Sequence, residues 1–162
     1  MERLNPRVRV VWLVLAIVRS VVLGAVLVGI AFGLTVTGVW GGSSDVLIWG
    51  AVALAVFLGM FRIGVAWRRY TVWRFDVRED SLYIERGVFT RIKTVVPYVR
   101  VQHVDSRQSP LERVVDLATV VVYSAGSRSA DVAIPGLTPE RAEELREELR
   151  RLAIESEGED AV

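Results

Sequence analysis

Residues Val21–Trp40 read VVLGAVLVGIAFGLTVTGVW, 20 consecutive positions without a charged side chain. At about 1.5 Å of rise per residue such a run spans roughly 30 Å as a helix, the thickness of a bilayer's hydrocarbon core. Gly41-Gly42-Ser43-Ser44-Asp45 follows, and a second uncharged run extends from Val46 to Phe61. The two runs predict a helical hairpin in lipid, with a small folded domain beyond Trp67.

Arg19 and Arg62 fix how the spans are placed, because a charge at mid-bilayer costs several kcal/mol. Counted from the Gly-rich turn, both fall near the same membrane face, where a long side chain can reach the headgroups. Trp12, Trp67, Tyr70 and Trp73 lie where an aromatic belt is expected at that face, and Trp40 and Trp49 near the other. Arg3, Arg7, Arg9, Arg19, Arg62, Arg68, Arg69 and Arg74 all fall on one side, whereas the turn carries only Asp45. The positive-inside rule then predicts a two-span protein of the cell (inner) membrane with both termini in the cytoplasm. A cleaved signal peptide fits less well: its apolar region runs about 7–15 residues, and Ala31-Phe32-Gly33 lies inside the longer run seen here. Gly24, Ala25, Gly29 and Gly33, with Gly50, Ala53 and Gly59, offer small faces for packing the two helices.

Composition agrees and excludes other classes. Apolar residues make up 52% of the 162 positions, so lipid is the natural solvent for part of the chain. A net charge of +1 and the lack of a reading motif argue against nucleic acid. No Cys and one His leave no metal site to expect, and no cofactor is expected.

After Arg68-Arg69 the pattern changes from continuous to alternating. Trp73, Phe75 and Val77 alternate with Arg74, Asp76 and Arg78, which predicts a half-buried strand. Glu79-Asp80 turns the chain into a second strand around Leu82 and Ile84. Gly87 opens a third at Val88–Val96, which Pro97 ends. Val99–Asp105 predicts a fourth, and the slip from Val99 and Val101 to Val104 signals a bulge. Ser109-Pro110-Leu111-Glu112 carries the marks of a helix start: a Ser cap, Pro at the first position and Glu reaching back. Leu111, Val114 and Val115 would form that helix's apolar face. Ala118–Tyr123 and Ala130–Ile134 predict two more strands around a turn at residues 124–129. Thr138-Pro139 caps a longer helix with the stripe Ala142, Leu145, Leu149 and Leu152, its acids early and its Arg residues late. The expected organisation is a cytoplasmic N-terminus (1–9), a first transmembrane helix (10–40), an extracytoplasmic turn (41–45), a second helix (46–67), a domain over 71–154 and an acidic disordered tail (155–162).

Val96-Pro97, Arg100-Val101-Gln102, Val104-Asp105, Gln108 to Arg113, Leu117 to Val120 and Ser124-Ala125-Gly126 resemble the signature of bacterial pleckstrin-homology (PH) domains of the YdbS-like membrane group. The resemblance implies an all-β or α+β domain, a PH-like barrel or two near-orthogonal sheets of about six to seven strands closed by a C-terminal helix. It implies no known reaction. Its signature positions Pro97, Gln102, Asp105, Ser109, Leu111, Glu112, Arg113 and Gly126 are expected to be structural. Eukaryotic phosphoinositide-binding relatives put basic residues in the first inter-strand loop, but here that loop is Arg78-Glu79-Asp80-Ser81.

His103, Asp105, Ser106 and Ser109 do not amount to a nucleophilic triad, because residues two apart on a strand rarely align nucleophile, base and orienter. Arg113 is expected to pair with Asp105 or Asp116. Arg68, Arg69, Arg74, Arg91 and Lys93 are the candidates for lipid-headgroup contact, since juxtamembrane cations attract anionic headgroups by about 1 kcal/mol each. The functional expectation is a non-enzymatic membrane-anchored module that binds protein partners through an exposed strand edge or the barrel rim, with anionic lipid as support. Expected partners are the bilayer, a membrane protein such as a larger one bearing several PH domains, and a second copy of the chain. The alternatives are an accessory subunit of a transport or export complex, assembled through its hairpin, and an enzyme acting on lipid headgroups.

Overall fold

A computed structural model describes residues 1–125 and 131–159. The chain divides into two compact units, Trp12–Arg68, and Met1–Val11 together with the chain from Arg69 onward.

The first unit is the helical hairpin. Helix α1 (Val8–Val36) and helix α2 (Ser44–Val72) have 29 residues each, and both are long and apolar enough to cross a membrane. Helix α1 stops at Val36, short of Trp40, as Gly38 turns left-handed (φ +72°) and the indole of Trp40 donates to the Ser43 carbonyl at 3.2 Å. Helix α2 runs past Trp67 to Val72. A Cβ on Gly24 would sit 3.4 Å from Ala55 Cβ, and one on Gly59 3.5 Å from Ser20 Cβ, so these two glycines let the helices approach. Gly29, Gly33 and Gly50 have no such neighbour within 4 Å. The Arg62 guanidinium donates to the Arg19 carbonyl at 3.4 Å, which sets the two interrupting cations at one level.

The second unit is two antiparallel sheets and a helix. Strands β1 (Glu2–Arg3), β2 (Arg74–Val77), β3 (Ser81–Arg86) and β4 (Ile92–Pro97) form one sheet in that order. Strands β5 (Val101–Arg107), β6 (Ala118–Ser124) and β7 (Asp131–Leu137) form the other. Among the described residues the sheets do not close into a barrel. Phe75, Leu82, Ile84, Val120, Val122 and Ile134 are fully buried, and from helix α4 (Pro139–Glu159) so are Ala142, Leu145 and Leu149, with Leu152 half-buried. The amphipathic stripe therefore covers the sheets, as its spacing predicts.

Beyond the helix ends, and a fourth strand that starts at Val101 after a 3-10 turn and not at Val99, four further features depart from the sequence expectation. Residues 1–9 are not merely an N-terminal extension, because β1 adds a strand, Leu4 and Val8 are buried, and Asn5 N–H donates to the Gly136 carbonyl at 2.8 Å. The third predicted strand begins at Ile92, not Val88: Gly87 (φ +109°) turns the chain so tightly that a Cβ there would run into the Thr90 carbonyl oxygen. Residues 155–159 are helical where a disordered tail is expected, continued by an Arg151–Glu155 pair at 4.0 Å and a Ser156 hydroxyl bond to Ala153 at 2.9 Å. The short helix α3 (Pro110–Val114) leaves Leu111 and Val114 exposed, so its apolar face does not join the core.

Candidate functional site

The signature segment is a local latch. The Ser109 hydroxyl accepts from Glu112 N–H at 3.3 Å, and the Glu112 carboxylate accepts from Ser109 N–H at 2.8 Å, the reciprocal box its sequence predicts. The other Glu112 oxygen accepts from the buried Thr119 hydroxyl at 2.5 Å, tying α3 to β6. The Gln108 amide donates to the Leu117 carbonyl at 3.0 Å, and Asp116 takes a left-handed φ of 56° between them. Pro97 closes β4 before a 3-10 turn, Tyr98–Arg100. Gln102 is the extra residue of a bulge between Val101 and His103. Neither pairing expected for Arg113 forms among the described residues. Asp105 instead takes His103 Nε2 at 2.6 Å, and the Ser109 hydroxyl is committed to the cap, so the four residues weighed as a triad are not one. Gly126 lies outside the described residues.

The candidate cations divide. Arg68 and Arg69 are consecutive exposed positions near the end of α2. Arg74, Arg91 and Lys93 come together on sheet one. Arg3 is registered with Arg74, Arg74 with Glu85, and Glu85 with Lys93, so one row of side chains crosses the outer face. Arg91 bonds the Glu85 carboxylate at 3.1 Å. Arg3 is a member that sequence reasoning missed, since a two-residue strand has no alternation to detect. Where the chain enters this unit it is clasped: the Tyr70 hydroxyl donates to the Leu4 carbonyl at 3.2 Å, and the Arg9 guanidinium stacks 3.8 Å above the Tyr70 ring.

A second feature is a groove of about 460 Å³ between β5 and α4. It is lined by the consecutive residues Val101–Asp105 on one wall and Arg146, Arg150, Ala153 and Ile154 on the other. Among the described residues β5 is the outer strand of its sheet and pairs only with β6, and its consecutive residues line this groove. Arg146 pairs with Glu143 at 2.5 Å and Arg150 with Glu147 at 3.9 Å, both partners on α4 itself. Ile154 is 60% exposed beside them. The signal for this wall was available at positions 146, 150 and 153, a helical stripe adjacent to the buried leucines.

With this geometry in view, the model of the bacterial PH domain family matches residues 6–153. The chain belongs to the bacterial PH domain family. The matched span includes the hairpin as well as the two-sheet domain. The chain is also 42% identical over 85 residues to the UPF0699 transmembrane protein YdbS of Bacillus subtilis (strain 168). That alignment covers 52% of this chain and 52% of the relative, so about half of each is compared. No solved structure matches the chain. The protein is thus a membrane-associated PH-domain protein.

Proposed function

We propose that the protein holds its PH-like domain against the cytoplasmic face of the cell membrane and binds a protein partner there, without catalysing a reaction. The single observation that carries the reading is the open edge of β5 beside the α4 groove. An unpaired edge presents a ladder of backbone donors and acceptors, and an added strand from a partner can satisfy them. The groove gives side chains of such a strand somewhere to go, and Arg146 and Arg150 favour acidic ones. The basic row on sheet one would support the domain on anionic headgroups.

The test is site-specific photo-crosslinking of the full chain in its native membrane. A crosslinker at Gln102 and another at Ile154, on opposite walls, should capture the same protein, and Arg150→Glu should abolish the adduct. Capture from neither wall, with adducts only from exposed Val114 on α3, would move the binding surface elsewhere.

A further inference from the structure

We infer that the β3–β4 hairpin tip, Gly87 to Arg91, dips into the interfacial layer of an anionic bilayer with Phe89 as its apolar wedge. This goes beyond the partner-binding groove and rests only on the lipid-supported half of the proposed function.

The strand register supplies the placement. Arg74 begins β2 and is opposite Glu85, which is opposite Lys93, and the next pair is Arg86 with Ile92. The tip therefore projects from the end of the sheet where β2 starts, immediately after α2 ends at Val72. Strand β1 finishes at Arg3 at that same end, since Arg3 is opposite Arg74, and α1 begins at Val8. Both chain passages to the apolar helices and the hairpin tip thus share one end of sheet one. The β2–β3 turn at Glu79-Asp80 is at the other end and is acidic.

Chemistry at the tip matches an interface. Phe89 is 77% exposed, and Ile92, which with Arg86 closes the ladder at that end, is 47% exposed. Apolar side chains exposed at the tip of a charged hairpin raise the free energy in water, and moving them among acyl chains lowers it. Arg3, Arg74, Arg86, Arg91 and Lys93 lie at that same end of the sheet, with Glu85 the one carboxylate in the Arg3–Arg74–Glu85–Lys93 row. Cations flanking an apolar wedge are what an anionic leaflet attracts within a Debye length. The tip is a tight turn: Gly87 holds φ +109°, and a Cβ there would run into the Thr90 carbonyl oxygen, so the shape that carries Phe89 requires glycine at this position.

The chain has no cysteine, which makes the test direct. Phe89→Cys and Glu79→Cys are each given a nitroxide label in the full chain, reconstituted in phosphatidylcholine vesicles containing anionic phosphatidylglycerol. The Phe89→Cys label should be relaxed more by oxygen dissolved in lipid than by an aqueous nickel chelate, and the Glu79→Cys label the reverse. Equal aqueous exposure at both positions would overturn the inference, and would leave the β5 groove untouched. Adding Arg91→Glu and Lys93→Glu should move the Phe89→Cys label toward water. An unchanged depth would overturn the part assigned to those cations.

Discussion

At the scale of single residues, the sequence is most readable where chemistry is local. Ser109, Pro110 and Glu112 announce their capping box because all three partners lie within four positions. Gly136 is the opposite case. It sits in β7 at φ +69°, and a Cβ there would come 2.6 Å from Val8 Cβ. Nothing near residue 136 reveals that a side chain from the other end of the chain fills that space. Gly136→Ala should therefore cost about 2–4 kcal/mol, combining left-handed strain with overpacking. It should also release the N-terminal segment, read as faster tryptic cleavage at Arg7 and Arg9 in detergent. Gly29→Ala, with nothing within 4 Å, is the control and should change neither.

Elements were readable in proportion to their periodicity. The α4 stripe and the strands β2, β3 and β6 follow from alternation or 3.6-residue spacing, because burial of one face imposes it. β1 escaped since two residues define no period, and α3's apolar face misled since an exposed turn can carry Leu and Val without burying them. The turn joining the two sheets holds a further consequence. Tyr98 is 1% exposed, and its hydroxyl donates to the Arg78 carbonyl at 2.8 Å. Burial first, then the nearby Glu148 carboxylate, pushes its phenol up to about 12. A folded value above the unfolded one near 10 means the neutral phenol's contribution is full below about pH 10 and is lost as pH rises toward 12. Tyr98→Phe should cost about 1 kcal/mol at pH 7 through the lost hydrogen bond. That deficit should shrink between pH 10 and 12, where only the parent ionises, as followed by denaturant unfolding in detergent. A gap that stays constant to pH 12 would contradict the buried phenol.

For the molecule as a whole, the apolar runs were legible from residue counts alone, whereas the joining of residues 1–11 to the domain after Arg69 was not, because that needs contacts across more than sixty positions. The joining bears on orientation. Since Met1–Val11 and the later domain are one compact unit, the two ends of the hairpin must emerge on the same side, and the hairpin cannot be threaded so that only one of them crosses. The cytoplasmic placement proposed above rests on the charge pattern. Arg3, Arg7, Arg9, Arg19, Arg62, Arg68, Arg69 and Arg74 flank the spans at that end, and the connecting turn has Asp45 as its only charge. Retaining Arg on the cytoplasmic side favours the domain inside. In intact cells a membrane-impermeant maleimide should label Ser43→Cys in the turn and spare Glu79→Cys in the domain, and permeabilisation should expose the second. The reverse pattern would put the domain outside and remove the cytoplasmic reading. Labelling of both in intact cells would break the link between them, because a hairpin whose two ends are stitched into one folded unit has no intermediate topology to offer.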